Sequence, residues 1–347
     1  MIGTGLGLLA GGGELLVRGS AQLAARFGIS SLVIGLTVVA FGTSAPELAV
    51  SLLSVSADAP DLAVGNVIGS NIFNILFILG SSALIVPLVV SRRIIWVEVP
   101  LVIAVSVLTW WFASDGQVQR RDGALLVAFL FAYTVWLLRS TSGEPASDAA
   151  PSDSPRALVS TAAVAAGLAL LLLGAHWLVR GAVSLATAAG VDDAVIGLTI
   201  VAAGTSLPEV AASLVAAARG YRDMAVGNIL GSNIFNLTLI LGITAVTAGG
   251  LPVPAGLVTF DLVVMVAVAV ACLPILMTGH RIARWEGAVF VAYYFAYTAY
   301  LVMDALDHER LPHLRDALVF FFLPLTAVTL AVLGARALWV REGQELS

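Results

Sequence analysis

Two glutamates stand in strongly apolar parts of this chain. Glu47 ends the segment GTSAPE, residues 42–47, and Glu209 ends the segment GTSLPE, residues 204–209. A carboxylate inside a bilayer is costly unless its charge is compensated, and such residues usually mark a functional site. Each glutamate has hydroxyl-bearing neighbours, and carboxylate and hydroxyl oxygens are hard ligands. The chemistry that these segments favour is therefore the binding of a cation such as calcium or sodium, and copper or zinc would fit poorly.

A proline directly before each glutamate predicts a broken helix. The ring of Pro46 or Pro208 removes one backbone N–H and pushes the preceding turn apart, so a carbonyl one turn earlier loses its partner. Inside a membrane, such carbonyls are tolerated only where they line protein or a polar cavity. We therefore predict discontinuous helices at both segments. We expect the freed carbonyls, including that of Ala40, to point toward the cation.

A second polar stripe follows each glutamate segment. Asn66, Ser70 and Asn74 recur every four residues and so share one face of a helix. Gly65 and Gly69 form a G-x-x-x-G pair, which predicts close packing between helices. The same set returns later in the chain as Gly227, Asn228, Gly231, Ser232 and Asn236.

These motifs belong to a long internal repeat. Residues 35–80 align with residues 197–242 without a gap, and residues 120–137 match residues 284–301. Apolar stretches long enough to cross a bilayer recur in the same order in both copies. The predicted spans are 3–26, 31–57, 61–88, 94–114, 121–139, 157–185, 194–218, 222–248, 255–278, 284–303 and 317–339.

The composition is that of a membrane protein with many spans. Hydrophobic residues make up 59% of the 347 residues and charged residues 11%, whereas a soluble domain carries about 25% charged residues. The net charge of −5 and the scattered arginines give no basic stripe for nucleic acid. Cys272 is the single cysteine, which excludes a disulfide framework and a thiolate zinc site.

The repeat predicts an all-α architecture of two halves. Residues 1–139 and 157–303 would each supply five helices, so the second half must insert upside down relative to the first, as in many transporters. The polar segment 140–156 reads as a linker, and residues 304–347 would add an eleventh helix and a tail. Most arginines near span ends lie on the side of the linker. The positive-inside rule therefore predicts an outside N-terminus and a cytoplasmic linker and C-terminus in the cell membrane.

The paired GTSxPE and GNxxGSNIFN segments resemble the alpha repeats of the calcium/cation antiporter superfamily, especially prokaryotic sodium/calcium exchangers. The resemblance implies a ten-helix transporter in which the long first and sixth helices slide across an eight-helix core. The ion ligands that it implies are Ala40, Thr43, Ser44, Glu47, Ser70 and Asn74 in the first half, and Ala202, Thr205, Ser206, Glu209, Ser232 and Asn236 in the second.

One departure from the superfamily bears on the ions carried. Asn236 stands where some relatives have an aspartate, which is often linked to another ion set that includes potassium. With Asn74 and Asn236 both neutral, the resemblance argues against potassium dependence. Proton/calcium relatives typically carry an asparagine-containing first motif, so the threonine and serine found here favour sodium as the counter-ion.

The leading hypothesis is an antiporter that exchanges calcium for sodium at a midplane site by alternating access. A proton-coupled calcium exchanger is the nearest alternative, and a passive cation channel is a weaker one. No histidine or aspartate accompanies the serines in a catalytic pattern, so we expect no enzyme activity and no cofactor. The expected partners are calcium and sodium as substrates and the lipid bilayer, without nucleic acid. The oligomeric state is left open.

Other polar residues of the spans have structural interpretations. We expect Asn71 and Asn233 to form hydrogen bonds between helices, and Glu14 to make a structural polar contact. Glu98 and Asp261 occupy equivalent positions near the starts of the fourth and ninth spans. We expect both carboxylates to pair with nearby arginines.

Overall fold

The computed structural model describes residues 1–140 and 157–318, together with residues 320, 326, 328 and 329. The predicted linker lies outside the described residues except for Ser140, which ends a helix. The predicted eleventh span, 317–339, lies almost entirely outside them. Within the described part the chain is almost wholly helical, and its helices follow the predicted spans closely.

The first half contains six helices and two short strands. The helices are α1 (Ile2–Phe27), α2 (Ser31–Thr43), α3 (Ala45–Ser56), α4 (Pro60–Ile85), α5 (Ile94–Ala113) and α6 (Arg120–Ser140). The strands are β1 (Leu88–Val89) and β2 (Gln117–Gln119). The predicted second span is thus divided into α2 and α3 at Ser44.

The second half repeats this order. Its helices are α7 (Ala157–Ala188), α8 (the consecutive turns Asp193–Ile196, Gly197–Val201 and Ala202–Gly204), α9 (Leu207–Ala218), α10 (Arg222–Ala248), α11 (Leu257–Met277) and α12 (Arg284–Ala305), followed by the short α13 (Leu311–Ala317). The strands are β3 (Gly250–Pro252) and β4 (Arg281–Ile282). The predicted seventh span is interrupted at Thr205 and Ser206.

The apolar helices are those of a multi-pass membrane protein. Seven helices of the described residues are long and apolar enough to cross a bilayer, and α2 with α3, which meet at a bend of 40°, make up to eight. Helix α1 is not among these seven, because its many glycines and the charges of Glu14 and Arg18 dilute its apolar character. The ten-span count stays a prediction.

The two halves are joined by short antiparallel sheets. Strand β1 pairs with β4, with Leu88 opposite Ile282, and β2 pairs with β3, with Val118 opposite Leu251. All four of these side chains are buried. Each two-stranded sheet therefore takes one strand from each half and lies at the edge of the helical core.

Helices α1 and α7 pack against each other through glycines. A Cβ at Gly12 would stand 2.8 Å from the Gly167 carbonyl oxygen, and one at Gly5 would stand 2.9 Å from the Gly174 carbonyl oxygen. Such short approaches require residues without side chains. Because rising numbers on α1 meet falling numbers on α7, the two helices run antiparallel. These are the two helices that the family resemblance predicts to slide.

Wide π-helical turns occur at matching places in the two halves. In the described residues they span Gly35–Val39, Asn74–Leu79 and Ile94–Glu98 in the first half, and Gly197–Val201, Asn236–Ile240 and Leu257–Asp261 in the second. Turns of this kind are rare and are frequent at functional sites. The first and second turn of each half directly adjoin the polar motifs that the sequence singles out.

The predicted arginine partner exists for one of two equivalent carboxylates. Glu98 is fully buried and accepts hydrogen bonds from Arg93 Nε at 3.1 Å and from the Tyr133 hydroxyl at 2.5 Å. Asp261 instead accepts from the Tyr297 hydroxyl at 2.5 Å, and no described arginine pairs with it. The prediction is therefore wrong for Asp261. Both carboxylates connect their own helix to the last long helix of the same half.

Removing the Tyr133 hydroxyl should destabilise the first half. Tyr133→Phe takes one donor from a buried carboxylate, and an unsatisfied buried polar group costs about 1–3 kcal/mol. We expect a lower melting temperature of the purified protein in detergent, measured by intrinsic fluorescence. Tyr300→Phe is the matched control, because the Tyr300 ring stacks on Phe260 and its hydroxyl has no hydrogen bond within the described residues. Equal melting temperatures for both variants would refute the role of this bond.

Candidate cation-binding site

Two equivalent serines mark the helix breaks. Ser44 separates α2 from α3 with φ −81° and ψ 6°, and Ser206 precedes α9 with φ −88° and ψ 7°. These values lie in the sparsely populated bridge region, where functional residues are often found. The predicted discontinuity is therefore present in both halves, one residue before the first turn of the following helix.

The two glutamates occupy the first turns of these following helices. Glu47 lies in the first turn of α3 and Glu209 in the first turn of α9, and each side chain is 1% exposed. The proline before each glutamate fits this position, because the first turn of a helix needs no backbone N–H from it. The positive end of a helix dipole also stabilises a carboxylate there. Local sequence thus places a carboxyl group in the first turn after each break.

Reciprocal hydrogen bonds bring the two carboxylates together. The Ser206 hydroxyl donates to Glu47 Oε1 at 2.7 Å, and the Ser44 hydroxyl donates to Glu209 Oε1 at 3.0 Å. Each serine precedes by three residues the glutamate of its own half, so each carboxylate lies beside the helix break of the other half. The Ser206 hydroxyl also contacts Ser70 Oγ at 3.3 Å. The site is therefore built jointly by both halves.

Several buried oxygens at this place have no hydrogen-bond partner in the described residues. Each carboxylate uses one oxygen for its serine and leaves Oε2 unpartnered. Unpartnered buried polar atoms are rare in folded proteins and call for an explanation such as a bound ion. The other unpartnered oxygens of the predicted ligand set are Asn74 Oδ1, Asn236 Oδ1 and Ser232 Oγ.

The chemistry of these atoms is that of a hard-cation site. No group of three or more His, Cys, Asp or Glu residues capable of holding a metal occurs in the described part of the chain. The free atoms are two carboxylate oxygens supplemented by neutral amide and hydroxyl oxygens. Calcium accepts this mixture in flexible geometry, while magnesium rarely gives up all of its water for such a cage.

Two asparagines of the polar stripes donate hydrogen bonds to the helices that carry the glutamates. Asn66 Nδ2 donates to Ser51 Oγ at 3.1 Å and to the Glu47 carbonyl at 3.2 Å. Asn228 Nδ2 donates to Ser213 Oγ at 2.8 Å. The polar stripe of each half thus holds the helix that carries the glutamate of the same half. The sequence shows these residues on the right faces but does not indicate this pairing.

The prediction that the Ala40 carbonyl lacks a backbone hydrogen bond is wrong. The Ser44 N–H donates to the Ala40 carbonyl at 3.0 Å, and the Thr43 hydroxyl lies 3.4 Å from the same oxygen. The break therefore falls one step later than expected, because Ser44 still closes the last turn of α2. A carbonyl oxygen has two lone pairs, so it keeps acceptor capacity. The Ala202 carbonyl accepts the Thr205 hydroxyl at 3.5 Å.

The two halves enclose their predicted ligands unequally. Val39 and Ala40 are 1% and 0% exposed, whereas the equivalent Val201 is 47% exposed and Ala202 is also exposed. The buried Thr43 donates to Asn228 Oδ1 at 3.2 Å. Thr205, its counterpart, is only half-buried and has no such bond to an asparagine among the described hydrogen bonds.

The distances around equivalent glycines show that helices also pack more tightly at one place than at its counterpart in the other half. A Cβ at Gly35 would stand 2.6 Å from the Met224 carbonyl oxygen, and Cβ atoms at Gly227 and Gly231 would stand 2.8 Å from the carbonyl oxygens of Leu32 and Leu36. Helices α2 and α10 therefore touch backbone to backbone. We call this contact of Gly35, Gly227 and Gly231 the closed seam.

The equivalent contact, between α8 and α4, is not formed. Cβ atoms at Gly197 in α8 and at Gly65 and Gly69 in α4 would meet nothing within 4 Å. The prediction of close packing is thus right for Gly227 and Gly231 and wrong for Gly65 and Gly69 in this conformation. We call the space beside Gly65, Gly69 and Gly197 the open seam. Of the predicted ligands in the second half, Ala202 is exposed and Thr205 is half-buried, and both follow Gly197 closely in sequence.

The remaining polar predictions have mixed outcomes. Asn233 Oδ1 accepts from Asn74 Nδ2 of the other half at 2.9 Å, as expected for a bond between helices. Asn71 instead donates to the Val67 carbonyl of its own helix at 2.7 Å. Glu14 makes ion pairs with Arg18 and, at 2.8 Å, with Arg219, the residue that follows α9. The contact with Arg219 could not be found from sequence, since the two residues belong to different halves.

The fold is that of an almost wholly helical, multi-pass membrane protein whose two halves share a buried pair of carboxyl groups, a kind of site that secondary transporters use. Residues 1–139 and 159–303 match the family described as sodium/calcium exchanger protein. The chain belongs to the sodium/calcium exchanger family, and this membership supports cation/calcium antiport as its activity.

Relatives and a solved structure agree with this assignment. The chain is 40% identical over 303 residues to the putative antiporter CaxA of Alkalimonas amylolytica, covering 84% of this chain and 95% of that protein. It is 30% identical to the sodium/calcium exchanger MaX1 of Methanosarcina acetivorans, covering 86% and 96%. The structure of the sodium-calcium exchanger NCX_Mj soaked with Na⁺ and Sr²⁺ superposes with a TM-score of 0.76 at 33% identity, covering 86% of this chain and 96% of that one.

Proposed function

We propose that this protein exchanges calcium for sodium across the cell membrane, with the ions bound between the two halves. The observation that carries the proposal is the pair of buried glutamates whose Oε2 atoms have no hydrogen-bond partner among the described residues. Two ionised carboxylates buried within a membrane protein are costly unless cations neutralise them. One calcium ion or two sodium ions supply two positive charges.

The proposed ligand set takes six residues from each half. They are Ala40, Thr43, Ser44, Glu47, Ser70 and Asn74 from the first half, and Ala202, Thr205, Ser206, Glu209, Ser232 and Asn236 from the second. The reciprocal serine–glutamate bonds support a site shared across the interface. The unpartnered oxygens of Asn74, Asn236 and Ser232 support neutral ligands beside the charged ones.

Charge balance explains why exchange would be obligatory. An empty site leaves two like charges buried next to each other, so closing around it is unfavourable. A site loaded with calcium or with two sodium ions is neutral and can close and reopen on the opposite side. A ligand shifts such an equilibrium by its differential affinity for the two states. Return without cargo is therefore suppressed, and the protein becomes an exchanger.

The unequal seams support alternating access. We infer that the halves 1–139 and 157–303 insert with opposite orientations and exchange roles during transport. In the conformation described here, the open seam lies beside the start of α4, on the same side as the start of α1. With the N-terminus outside, as the arginine distribution predicts, the site would be open to the outside and closed toward the cytoplasm.

The coupling ion can be identified by imposing one gradient at a time. In proteoliposomes, we expect calcium-45 uptake to be driven by an outward sodium gradient, at least tenfold above uptake in potassium buffer. Empty liposomes are the control for leakage. Uptake driven by a pH gradient in sodium-free buffer would show the proton-coupled alternative. Uptake of similar rate without any counter-ion gradient would show a passive channel.

A further inference from the structure

A hydrogen bond between two buried amides crosses the interface between the halves. Asn74 Nδ2 in α4 donates to Asn233 Oδ1 in α10 at 2.9 Å, and the two side chains are 0% and 1% exposed. Asn74 is among the proposed ligands, whereas Asn233 is not. Asn233 therefore contacts a ligand from the opposite half and has no role so far.

In this structure the bond leaves the oxygen end of the Asn74 amide free. With Nδ2 engaged, Oδ1 remains, and this oxygen is buried and has no hydrogen-bond partner in the described residues. Asn74 lies one helical turn after Ser70, whose Oγ contacts the serine that donates to Glu47. The free oxygen therefore belongs to a residue one helical turn from the hydroxyl contacts that reach Glu47.

An amide is a useful ligand for a cation in only one of its two orientations. Its oxygen accepts and carries partial negative charge, while its NH₂ group donates and carries partial positive charge. The two ends have nearly the same shape, so packing alone does not distinguish them. A rotation by half a turn would aim two N–H bonds at the cation. A carboxylate ligand has no such problem, because both of its ends are oxygens.

We propose that Asn233 is a positioning residue that holds the Asn74 amide with its oxygen toward the transported cation. This inference rests on the proposed function, since it assigns a role at the same site. The equivalent bond of the other amide ligand is not formed in the described residues. Asn71, the counterpart of Asn233, donates to Val67 of its own helix, and Asn236 Oδ1 is left without a partner. The two amide ligands, Asn74 and Asn236, are therefore held differently in this conformation.

The first test replaces Asn233 by residues that cannot accept. Asn233→Leu or the smaller Asn233→Ala leaves Nδ2 of Asn74 unsatisfied whenever Oδ1 faces a cation. We expect the apparent affinity for calcium, from the concentration dependence of sodium-driven calcium-45 uptake, to fall by about tenfold, or about 1.4 kcal/mol. Asn233→Asp keeps an acceptor oxygen and should bind calcium at least as tightly as the parent protein. The melting temperature without calcium reports separately on folding.

The second test separates orientation from general packing. In an Asn74→Asp background, either rotation of the side chain at position 74 presents an oxygen to the cation. Adding Asn233→Leu to this background should then change calcium affinity by less than about twofold, although the same residue is lost from the interface. A merely structural role of Asn233 would give the same loss in both backgrounds.

Two results would overturn the proposal. One is an unchanged calcium affinity in Asn233→Leu and Asn233→Ala, with Asn74 intact. The other is an equal loss of affinity with asparagine and with aspartate at position 74. Failure of the proposed function looks different, because the parent protein itself would then show no saturable, sodium-driven calcium uptake. If only the positioning role is wrong, the parent still transports and the Asn233 variants match it.

Discussion

Glu47→Gln and Glu209→Gln should each abolish sodium-driven uptake of calcium-45 into proteoliposomes. Glutamine keeps the size of the side chain but removes one of the two formal charges that would balance a divalent ion. Two opposite unit charges about 4 Å apart attract each other by about 4 kcal/mol at an effective dielectric constant of about 20, and a divalent ion is attracted about twice as strongly. Even the smaller energy corresponds to about a thousandfold weaker binding of calcium.

Glu286→Gln is the matched control for these variants. Glu286 is also a buried glutamate in the first turn of a membrane helix, where it accepts from the Ala283 N–H at 2.7 Å. It has no contact with the carboxylate pair in the described residues, so transport should persist at a similar rate. Normal transport by both Glu47→Gln and Glu209→Gln would show that the pair does not bind the ion.

Alanine substitutions at equivalent glycines of the two halves should distinguish an effect on stability from an effect on transport. Gly231→Ala adds a Cβ that would stand 2.8 Å from the Leu36 carbonyl oxygen, so it should destabilise this conformation. Overpacking of this kind costs about 1–3 kcal/mol. Gly69→Ala adds the same atom in open space, and alanine favours a helix by about 1 kcal/mol over glycine. Its melting temperature should be unchanged or higher.

Transport should nevertheless fall in Gly69→Ala. If the halves exchange roles, the open seam must close as tightly as the closed seam does here, and the new Cβ would then meet backbone. A cost of about 1–3 kcal/mol in that state corresponds to exchange that is roughly 5- to 150-fold slower. The measurements are thermal unfolding in detergent and sodium-driven calcium-45 uptake. Normal transport by Gly69→Ala would contradict closure of this seam, and normal stability of Gly231→Ala would contradict the tight contact.

Much of the site was predictable from local sequence. The proline before each glutamate dictates that a helix restarts there, because proline fits only the first turn. Glu47 and Glu209 accordingly lie in first turns and are buried. The spacing of four residues places Asn66 and Asn228 on the polar faces of their helices, although only the structure shows that they bond to Ser51 and Ser213. Apolar length similarly predicts the helix bounds within a few residues.

Contacts between the halves could not be predicted in the same way. Nothing in the spacing of GTSAPE and GTSLPE indicates that Ser206 donates to Glu47 and Ser44 to Glu209. The partners are 159 and 165 residues apart in sequence, so only the approach of two separate helices creates these bonds. The ion pair between Glu14 and Arg219 has the same origin.

The sequence by itself determined that the chain is a multi-pass membrane protein and where its helices break. It also determined that oxygen-bearing residues suited to a hard cation occur once in each repeat. The tertiary structure alone decided which half is enclosed. Gly227 and Gly231 are packed against a neighbouring backbone while Gly65 and Gly69 face open space, although the motifs around them are nearly the same. The reason is physical. Near-identical segments have near-identical local preferences, so the difference between them arises only from how whole helices pack in one conformation.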